Sequence, residues 1–200
     1  MSPKSFITLC ALSAFALFSA LNMVAIDQET NSVNTIGEAA VPELLEKIND
    51  VEKIIIEHSK GKITLSNDDK SWSVIEINGY TARSSKIKRT ILGLAQLKLS
   101  EPKTQLKKNY PKLELLDPAT KEAKSKRVYL FDKGGKTIGD IIVGKRRPSI
   151  AGSNVGGLYI RYPGKRQTWL AEGDVDISSN ITEWLERKII NLNSKRIMQV

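Results

Sequence analysis

One uncharged apolar run near the N-terminus constrains this chain most, because its length is matched to a membrane rather than to a small globular core. Residues 6–26 read FITLCALSAFALFSALNMVAI, 21 residues without a charged side chain. At about 1.5 Å per residue, a helix of this length crosses a hydrocarbon core of about 30 Å. The sequence therefore predicts one transmembrane anchor, after which the rest of the chain folds separately.

The charges that flank this run predict its orientation. Lys4 precedes the run, whereas Asp27 and Glu29 follow it, and basic residues favour the cytoplasmic side of a membrane. We therefore expect a single-pass membrane protein with its N-terminus in the cytoplasm. Its predicted parts are a cytoplasmic tip at 1–5, the anchor at 6–26, a polar tether at 27–41 and an exported domain at 42–200.

A cleaved signal peptide is the alternative to this uncleaved signal anchor. Ala14-Phe15-Ala16 forms an A-x-A site, but a cut there would leave an unusually short apolar core. Nearer the end of the run, Phe18 or Met23 would occupy the position three before the cut, where a small residue is required. Both alternatives export the domain.

The first half of that domain reads as a β-meander followed by a helix. Residues 51–59, 62–66 and 72–75 are β-branched or aromatic runs separated by turn residues, which predicts three strands. Ser84 or Ser85 is then the expected cap of a helix that carries Ile87, Ile91 and Leu94 on one face. A connection with several prolines follows at 101–118, and its side chains at Tyr110, Leu113 and Leu115 should pack on the domain.

The second half contains two predicted hairpins. Their turns lie at Lys133-Gly134-Gly135 and at Pro163-Gly164, and Asn180 with Glu183 resembles the capping pair of a last helix. The expected fold class is α+β, an antiparallel sheet of meander and hairpins with packed helices, preceded by one transmembrane helix. The repeated order raises the alternative that the two halves are diverged copies of one βββα unit. Trp72, Trp169 and Trp184 are expected to be core packing residues.

Composition argues against several function classes. His58 is the only histidine, and Cys10, inside the apolar run, is the only cysteine, which removes most zinc, haem and Ser-His-Asp chemistry. We expect His58 to be a solvated turn residue. The carboxylates Glu172, Asp174 and Asp176 lack the spacing of a calcium loop, so a solvated turn is the favoured interpretation. The sequence therefore predicts no metal, no cofactor and no enzymatic activity.

One stretch imitates a phosphate-binding loop without meeting its requirements. Gly139 and Gly144-Lys145 have the right spacing, but Arg146 replaces the required Ser or Thr, and the residues between the glycines form a predicted strand. Backbone amides must wrap the phosphates ahead of a helix. We therefore expect no nucleotide binding.

Basic residues are concentrated in the middle of the chain. Residues 101–170 hold 16 Lys and Arg against 6 Asp and Glu, in a chain whose formal charge is +9. Two basic groups flank predicted neighbouring strands, and we expect them to converge at one end of the sheet and bind an anion; a solvated rim is the alternative. This predicted anion-binding cluster comprises Lys145, Arg146, Arg147, Arg161, Lys165 and Arg166.

The export topology decides which partners suit this cluster. Nucleic acid is a poor candidate outside the cytoplasm, whereas anionic lipid headgroups, glycans or the acidic face of a membrane-protein complex are suitable. The membrane itself is a partner through the anchor.

Several short motifs, taken in order, resemble a known family. They are Ile48-Asn-Asp-Val51, Trp72-Ser-Val74, Gly79-Tyr80, Glu101-Pro102-Lys103-Thr104, Ile142-Val-Gly144-Lys145, Tyr159-Ile-Arg161, Gln167-Thr-Trp169-Leu170 and Trp184-Leu-Glu-Arg187. Together they resemble domain of unknown function 4340, a family of bacterial envelope proteins, over roughly residues 42–200. One branch of that family is linked to auxiliary components of gliding-motility-type ABC transporters, but the larger auxiliary domain of those proteins is missing here. The resemblance implies that the anchor lies in the bacterial inner membrane and that the domain at 42–200 is periplasmic. It also implies an accessory role at a membrane complex and brings no catalytic residues.

The function expected from the sequence is therefore that of a membrane-anchored, non-enzymatic accessory or binding module. Its ligand is not specified by any motif. The alternative is an enzyme that acts on an envelope polymer, with carboxylates brought together only by the fold.

Overall fold

The computed structural model describes residues 35–68, 71–150 and 155–187. Among these residues, no helix is long and apolar enough to cross a membrane. The predicted cytoplasmic tip and anchor, and most of the predicted tether, lie outside the described residues.

The described residues form one nine-stranded sheet in which every pair of neighbouring strands is antiparallel. The strands are β1 (Val51–His58), β2 (Gly61–Asn67), β3 (Trp72–Val74), β4 (Tyr80–Thr81), β5 (Lys98–Pro102), β6 (Lys126–Asp132), β7 (Thr137–Arg147), β8 (Gly157–Arg161) and β9 (Thr168–Glu172). Their order across the sheet is β4-β3-β2-β1-β6-β7-β8-β9-β5. The predicted meander and both predicted hairpins are thus confirmed.

The described residues contain few helices beside the large sheet, which agrees with the predicted α+β class. The α-helices are α1 (Pro42–Glu46), α2 (Ser84–Gln96) and α3 (Tyr110–Leu113). Single 3₁₀ turns lie at Ile48–Asp50, Ile75–Ile77, Lys107–Asn109 and Ile181–Trp184.

Helix α2 connects β4 at one edge of the sheet to β5 at the other. Its 13 residues extend only about 20 Å at about 1.5 Å per residue. Eight strand spacings of about 4.8 Å would span about 38 Å if the sheet were flat. The sheet must therefore curve around the helix, whose Ile87, Ile91 and Leu94 are buried in the same core as the strands, as predicted.

The face of the sheet toward α2, here called the inner face, carries alternate residues of each strand. Ile54 and Ile56 of β1 and Val128 and Leu130 of β6 are fully buried, because successive side chains of a strand point to opposite faces. This core also contains Trp72, Trp169 and Trp184, which are 7%, 5% and 0% exposed. The packing role predicted for the three tryptophans is confirmed.

The connection between β5 and β6 covers part of the opposite, outer face. Buried Tyr110 and Leu115 pack on Ile142 of β7, which confirms that this connection lies against the domain. Gly144 permits the close approach, since a Cβ there would lie 2.7 Å from the carbonyl oxygen of Glu114.

The folded unit begins at Gly37, not at residue 42. The backbone N–H groups of Gly37 and Ala40 donate to the carbonyls of Leu99 and Leu97, at 2.7 Å each. Residues 37–41 were predicted to belong to the tether because they lack periodicity. They are held instead by the free edge of β5, a pairing that local sequence does not reveal.

Two further predictions are corrected. The predicted last helix is a single 3₁₀ turn, Ile181–Trp184, although Asn180 does cap it by accepting a hydrogen bond from the N–H of Thr182 at 3.1 Å. Helix α2 begins at Ser84, and the residue before it is Arg83, whose side chain makes no capping hydrogen bond. The backbone N–H of Arg83 donates instead to the carbonyl of Trp184 at 2.7 Å.

Candidate functional site

The chain segment after β9 folds back along helix α2. The hydroxyl of Thr90 donates to the carbonyl of Asp176 at 3.3 Å, and the N–H of Arg83 donates to the carbonyl of Trp184 at 2.7 Å. Gly93 allows the contact, because a Cβ there would lie 2.8 Å from the carbonyl oxygen of Asp174. These contacts fix residues 174–184 beside the first three turns of the helix.

A cleft of about 280 Å³ opens between this segment, the start of α2 and the end of β7. Three of its cations are Lys86 and Arg89 of the helix and Arg83, which directly precedes it; residues three apart along a helix lie close to one face. Arg146 of β7 adds a fourth. The cleft, here called the α2 cleft, is lined by Arg83, Ser85, Lys86, Arg89, Thr90, Arg146, Asp174 and Asp176.

The carboxylates of the α2 cleft are already engaged by two of its cations. Asp174 pairs with Arg146, and the ammonium of Lys86 lies 3.2 Å from Asp176 and 2.8 Å from Glu183. The hydrogen bond from Lys86 holds the pKa of the Glu183 carboxyl below its ordinary value. Glu183 is therefore ionised at neutral pH.

The remaining two cations are exposed and uncommitted. Neither Arg83 nor Arg89 forms an ion pair with any other described residue. Each guanidinium can offer two parallel N–H donors to a carboxylate or phosphate. The arrangement can thus bind an added anionic group without losing the contacts that it already has.

The two groups of the predicted anion-binding cluster do not converge. Antiparallel pairing sets Arg147 opposite Gly157 and Arg161 opposite Ile142, so the groups lie at opposite ends of β8. Four residues at about 3.3 Å each separate them by about 13 Å, which exceeds the screening length of about 8 Å at physiological salt. The prediction of one joint surface is wrong.

Arg161 is withdrawn from solvent altogether. It is 8% exposed, its guanidinium lies 5.0 Å from the ring centre of Tyr110, and one of its terminal nitrogens donates to the carbonyl of Leu115 at 3.4 Å. Its Nε has no hydrogen-bond partner in the described part of the chain. Arg161 packs the connection onto the sheet and is not available to an anion.

The other predicted site residues are exposed. Lys145 and Arg147 lie at the end of β7, whereas Lys165 and Arg166 lie in the β8–β9 turn. Only Arg146 joins the α2 cleft. Anion binding by these residues stays a prediction.

Arg83, Lys86 and Arg89 were not predicted as site residues. Their spacing of three along a predicted helix was visible in the sequence, but it also fits a solvated helix face. The partner elements could not be predicted, because Asp176 lies 90 residues from Lys86.

The remaining sequence motifs have structural positions. The stretch from Gly139 to Lys145 lies within β7, so the strand prediction that argued against a phosphate-binding loop is confirmed. No group of three metal-ligating side chains occurs in residues 35–68, 71–150 and 155–187. His58 ends β1 and is half-buried, so it is less solvated than predicted.

Comparison with known families matches residues 72–200 to DUF4340, described as a domain of unknown function. This chain belongs to the DUF4340 family. The matched region begins at β3, so β1 and β2 lie before it although they are part of the same sheet. Searches among curated proteins and among solved structures found no match.

Proposed function

We propose that this DUF4340 protein is a non-enzymatic accessory module of a membrane complex. Its N-terminal run anchors it in the inner membrane, and its folded domain, in the periplasm, docks acidic side chains of a partner protein in the α2 cleft. An auxiliary role beside an ABC-transporter-like or another envelope complex agrees with the resemblance. The proposal depends on one observation, the pair of uncommitted guanidinium groups at Arg83 and Arg89.

The mixed charge of the cleft favours a protein partner over a lipid surface. The side chains of Asp174 and Asp176 are 73% and 62% exposed, so a uniformly anionic bilayer would meet two carboxylates at the cleft rim. A protein surface can place its own cation near them and its acidic groups near the free arginines. Exposed charges of this kind mainly set partner choice and association rate.

The enzyme alternative requires carboxyl groups of unlike environment in one cleft. A general acid near neutral pH is normally a partly buried carboxyl whose pKa burial raises. Asp174 and Asp176 are exposed and each is paired with a cation. These contacts favour binding over acid–base catalysis.

Site-specific photo-crosslinking of the full-length chain, in the bacterium that carries it, tests the docking proposal. A photoreactive residue at Ser85, inside the cleft, should capture a membrane protein, whereas one at Thr120, on the β5–β6 connection, should not. Replacement of both Arg83 and Arg89 by Glu should lower the crosslink yield several-fold or more.

The matched control reverses Lys107 and Lys108, two exposed residues of the connection, and should leave the crosslink intact. Equal crosslinking at both positions, or equal loss in both double variants, would contradict the proposal. Capture of lipid alone from Ser85 would favour the lipid-surface alternative.

The anchor is tested separately. A reporter that is active only outside the cytoplasm should work when fused after Val200 and fail when fused at Lys4. The mature protein should have the mass of the full chain. The mass of a shorter chain that starts near residues 22–27 would identify a cleaved signal peptide.

A further inference from the structure

A second cavity, of about 280 Å³, lies where three turns of the chain meet. The β1–β2 turn, the entry to β6 and the turn before the last 3₁₀ helix each contribute to it. Its lining contains three lysines and the only histidine but no carboxylate. The lining residues are His58, Ser59, Lys60, Ala123, Lys124, Ser125, Lys126, Ser179 and Asn180.

Lys126 is the central charge of this cavity. It is half-buried, and no ion pair links it to another described residue. Burial lowers the pKa of its ammonium, an effect that the more distant charges of Glu114, Asp176 and Glu183 partly offset. Loss of water without a direct counter-ion disfavours an ammonium, so an anion beside Lys126 would be stabilised.

Most other polar groups of the lining can donate hydrogen bonds; the exception is the Ser125 hydroxyl, which already donates to the carbonyl of Leu116. The N–H of Lys60 donates to Nδ1 of His58 at 3.3 Å, which leaves the proton of the neutral ring on Nε2. The side-chain oxygen of Asn180 is occupied by Thr182, so its amide group can act only as a donor. Ser59 and Ser179 add hydroxyls.

We infer that this cavity binds a phosphate-type oxyanion, either free phosphate or the phosphomonoester group of a larger molecule. A phosphomonoester carries a charge of about −1.5 to −2 near pH 7 and offers three acceptor oxygens, which matches a lining of ammonium groups and donors. Lysine binds phosphate well as a point charge. The site is separate from the α2 cleft and does not depend on the docking role proposed there.

His58 supplies a direct probe, because the protein has one histidine. Burial and the charges of Lys126 and Lys60 lower the pKa of its imidazole. The remaining charged group of the lining, Lys124, lies 3.7 Å from a carboxylate oxygen of Glu114. An oxyanion among these cations favours the protonated ring, so binding should raise the His58 pKa.

The experiment follows the ¹³C-labelled histidine signal of the full-length chain, without a histidine tag and in a nonionic detergent, as pH is varied. Inorganic phosphate should raise the His58 pKa by about one pH unit relative to chloride of equal ionic strength, as an opposite charge within a few ångströms does. A larger effect of glycerol phosphate would assign the site to a phosphorylated alcohol; equal effects would assign it to free phosphate.

Variants then test the place of binding. Lys126→Met should raise the His58 pKa without phosphate and should abolish its response to phosphate. Lys60→Met, at an exposed turn position, should weaken the response of the His58 pKa to phosphate. It replaces Lys126→Met as the test if that variant fails to fold. The control, Lys62→Met, removes the same charge from β2 outside the lining and should respond like the parent chain. No response to phosphate in the parent, or the same loss in the control, would overturn the inference.

Discussion

Trp184 joins the end of the described chain to the start of helix α2, and its removal should destabilise the domain more than that of any other tryptophan. The side chain is 0% exposed, its indole N–H donates to the carbonyl of Ser178 at 3.0 Å, and the ammonium of Lys86 lies 4.9 Å from the ring centre. Three kinds of interaction are therefore lost together.

The magnitude follows from these contacts. A buried tryptophan hides about 150–250 Å², and about 25 cal/mol per Å² converts this area to about 4–6 kcal/mol. Measured Trp→Ala changes cost about 3–5 kcal/mol, since alanine keeps part of the burial. With the unpaired Ser178 carbonyl, we expect Trp184→Ala to lower the unfolding free energy by about 5 kcal/mol. Trp184→Phe keeps most of the ring and should cost about 1–3 kcal/mol, the penalty of a lost buried hydrogen bond.

Trp72→Ala provides the comparison. Trp72 is 7% exposed and lines an open cavity with Ile48 and Ile91, so water can enter the vacated site. Its loss should cost about 3 kcal/mol, the lower end of the range for such truncations.

The assay is urea unfolding of residues 37–200, followed by far-ultraviolet circular dichroism so that the signal does not depend on tryptophan. The denaturant slope should be unchanged if each variant stays two-state. The reasoning would be refuted if Trp184→Ala cost no more than Trp184→Phe, or if Trp72→Ala were the more damaging change.

Two further predictions concern Gly144 on the outer face and Tyr162, which directly follows β8. Gly144→Ala should destabilise by about 1–3 kcal/mol through overpacking, because its Cβ would lie 2.7 Å from the carbonyl oxygen of Glu114; Gly134→Ala, where the nearest atom would be 3.4 Å away, is the control in the same unfolding assay. Burial raises the pKa of the Tyr162 hydroxyl to about 12 from 10.0, so the unfolded chain loses this proton first and stability should fall as pH rises from 10 to 12. Tyr162→Phe should make that fall shallower without removing it, because the pKa of Tyr129 is also raised by burial; an unchanged profile, from unfolding at several pH values, would contradict the assignment.

Strands with strong alternation could be predicted from the sequence because their signal is local. Ile54 and Ile56, or Val128 and Leu130, occupy every second position and are buried on one face. Strand β4 has two residues, and strand β5 reads KLSEP, with Leu99 as its one large aliphatic side chain, so neither carries enough alternation to be recognised. Strand β5 forms where it does because β9 offers it a partner, 70 or so residues later in the chain.

The prediction that the two basic groups converge failed for a different reason. The sequence correctly indicated that β7 and β8 are neighbours, yet an antiparallel hairpin brings the end of one strand to the beginning of the next. Lys145 and Arg147 therefore lie near Gly157, while Arg161 lies near Ile142. The strand pairing was predicted correctly, but the two basic groups were assigned to the same end of the strand pair. The structure places them at opposite ends of β8.

Family membership and the α2 cleft concern different residues. The motifs behind the resemblance include Thr104, Gly144 and Arg161, which hold the β5–β6 connection on the outer face; Thr104, for instance, receives a hydrogen bond from the hydroxyl of Thr168 at 2.8 Å. Neither Arg83 nor any other residue that lines the cleft belongs to those motifs. The resemblance thus identifies the scaffold, because its motifs contain residues that the packing of the fold requires. What the cleft binds must be argued from its own charges, and there two free guanidinium groups beside two satisfied carboxylates favour an acidic protein partner.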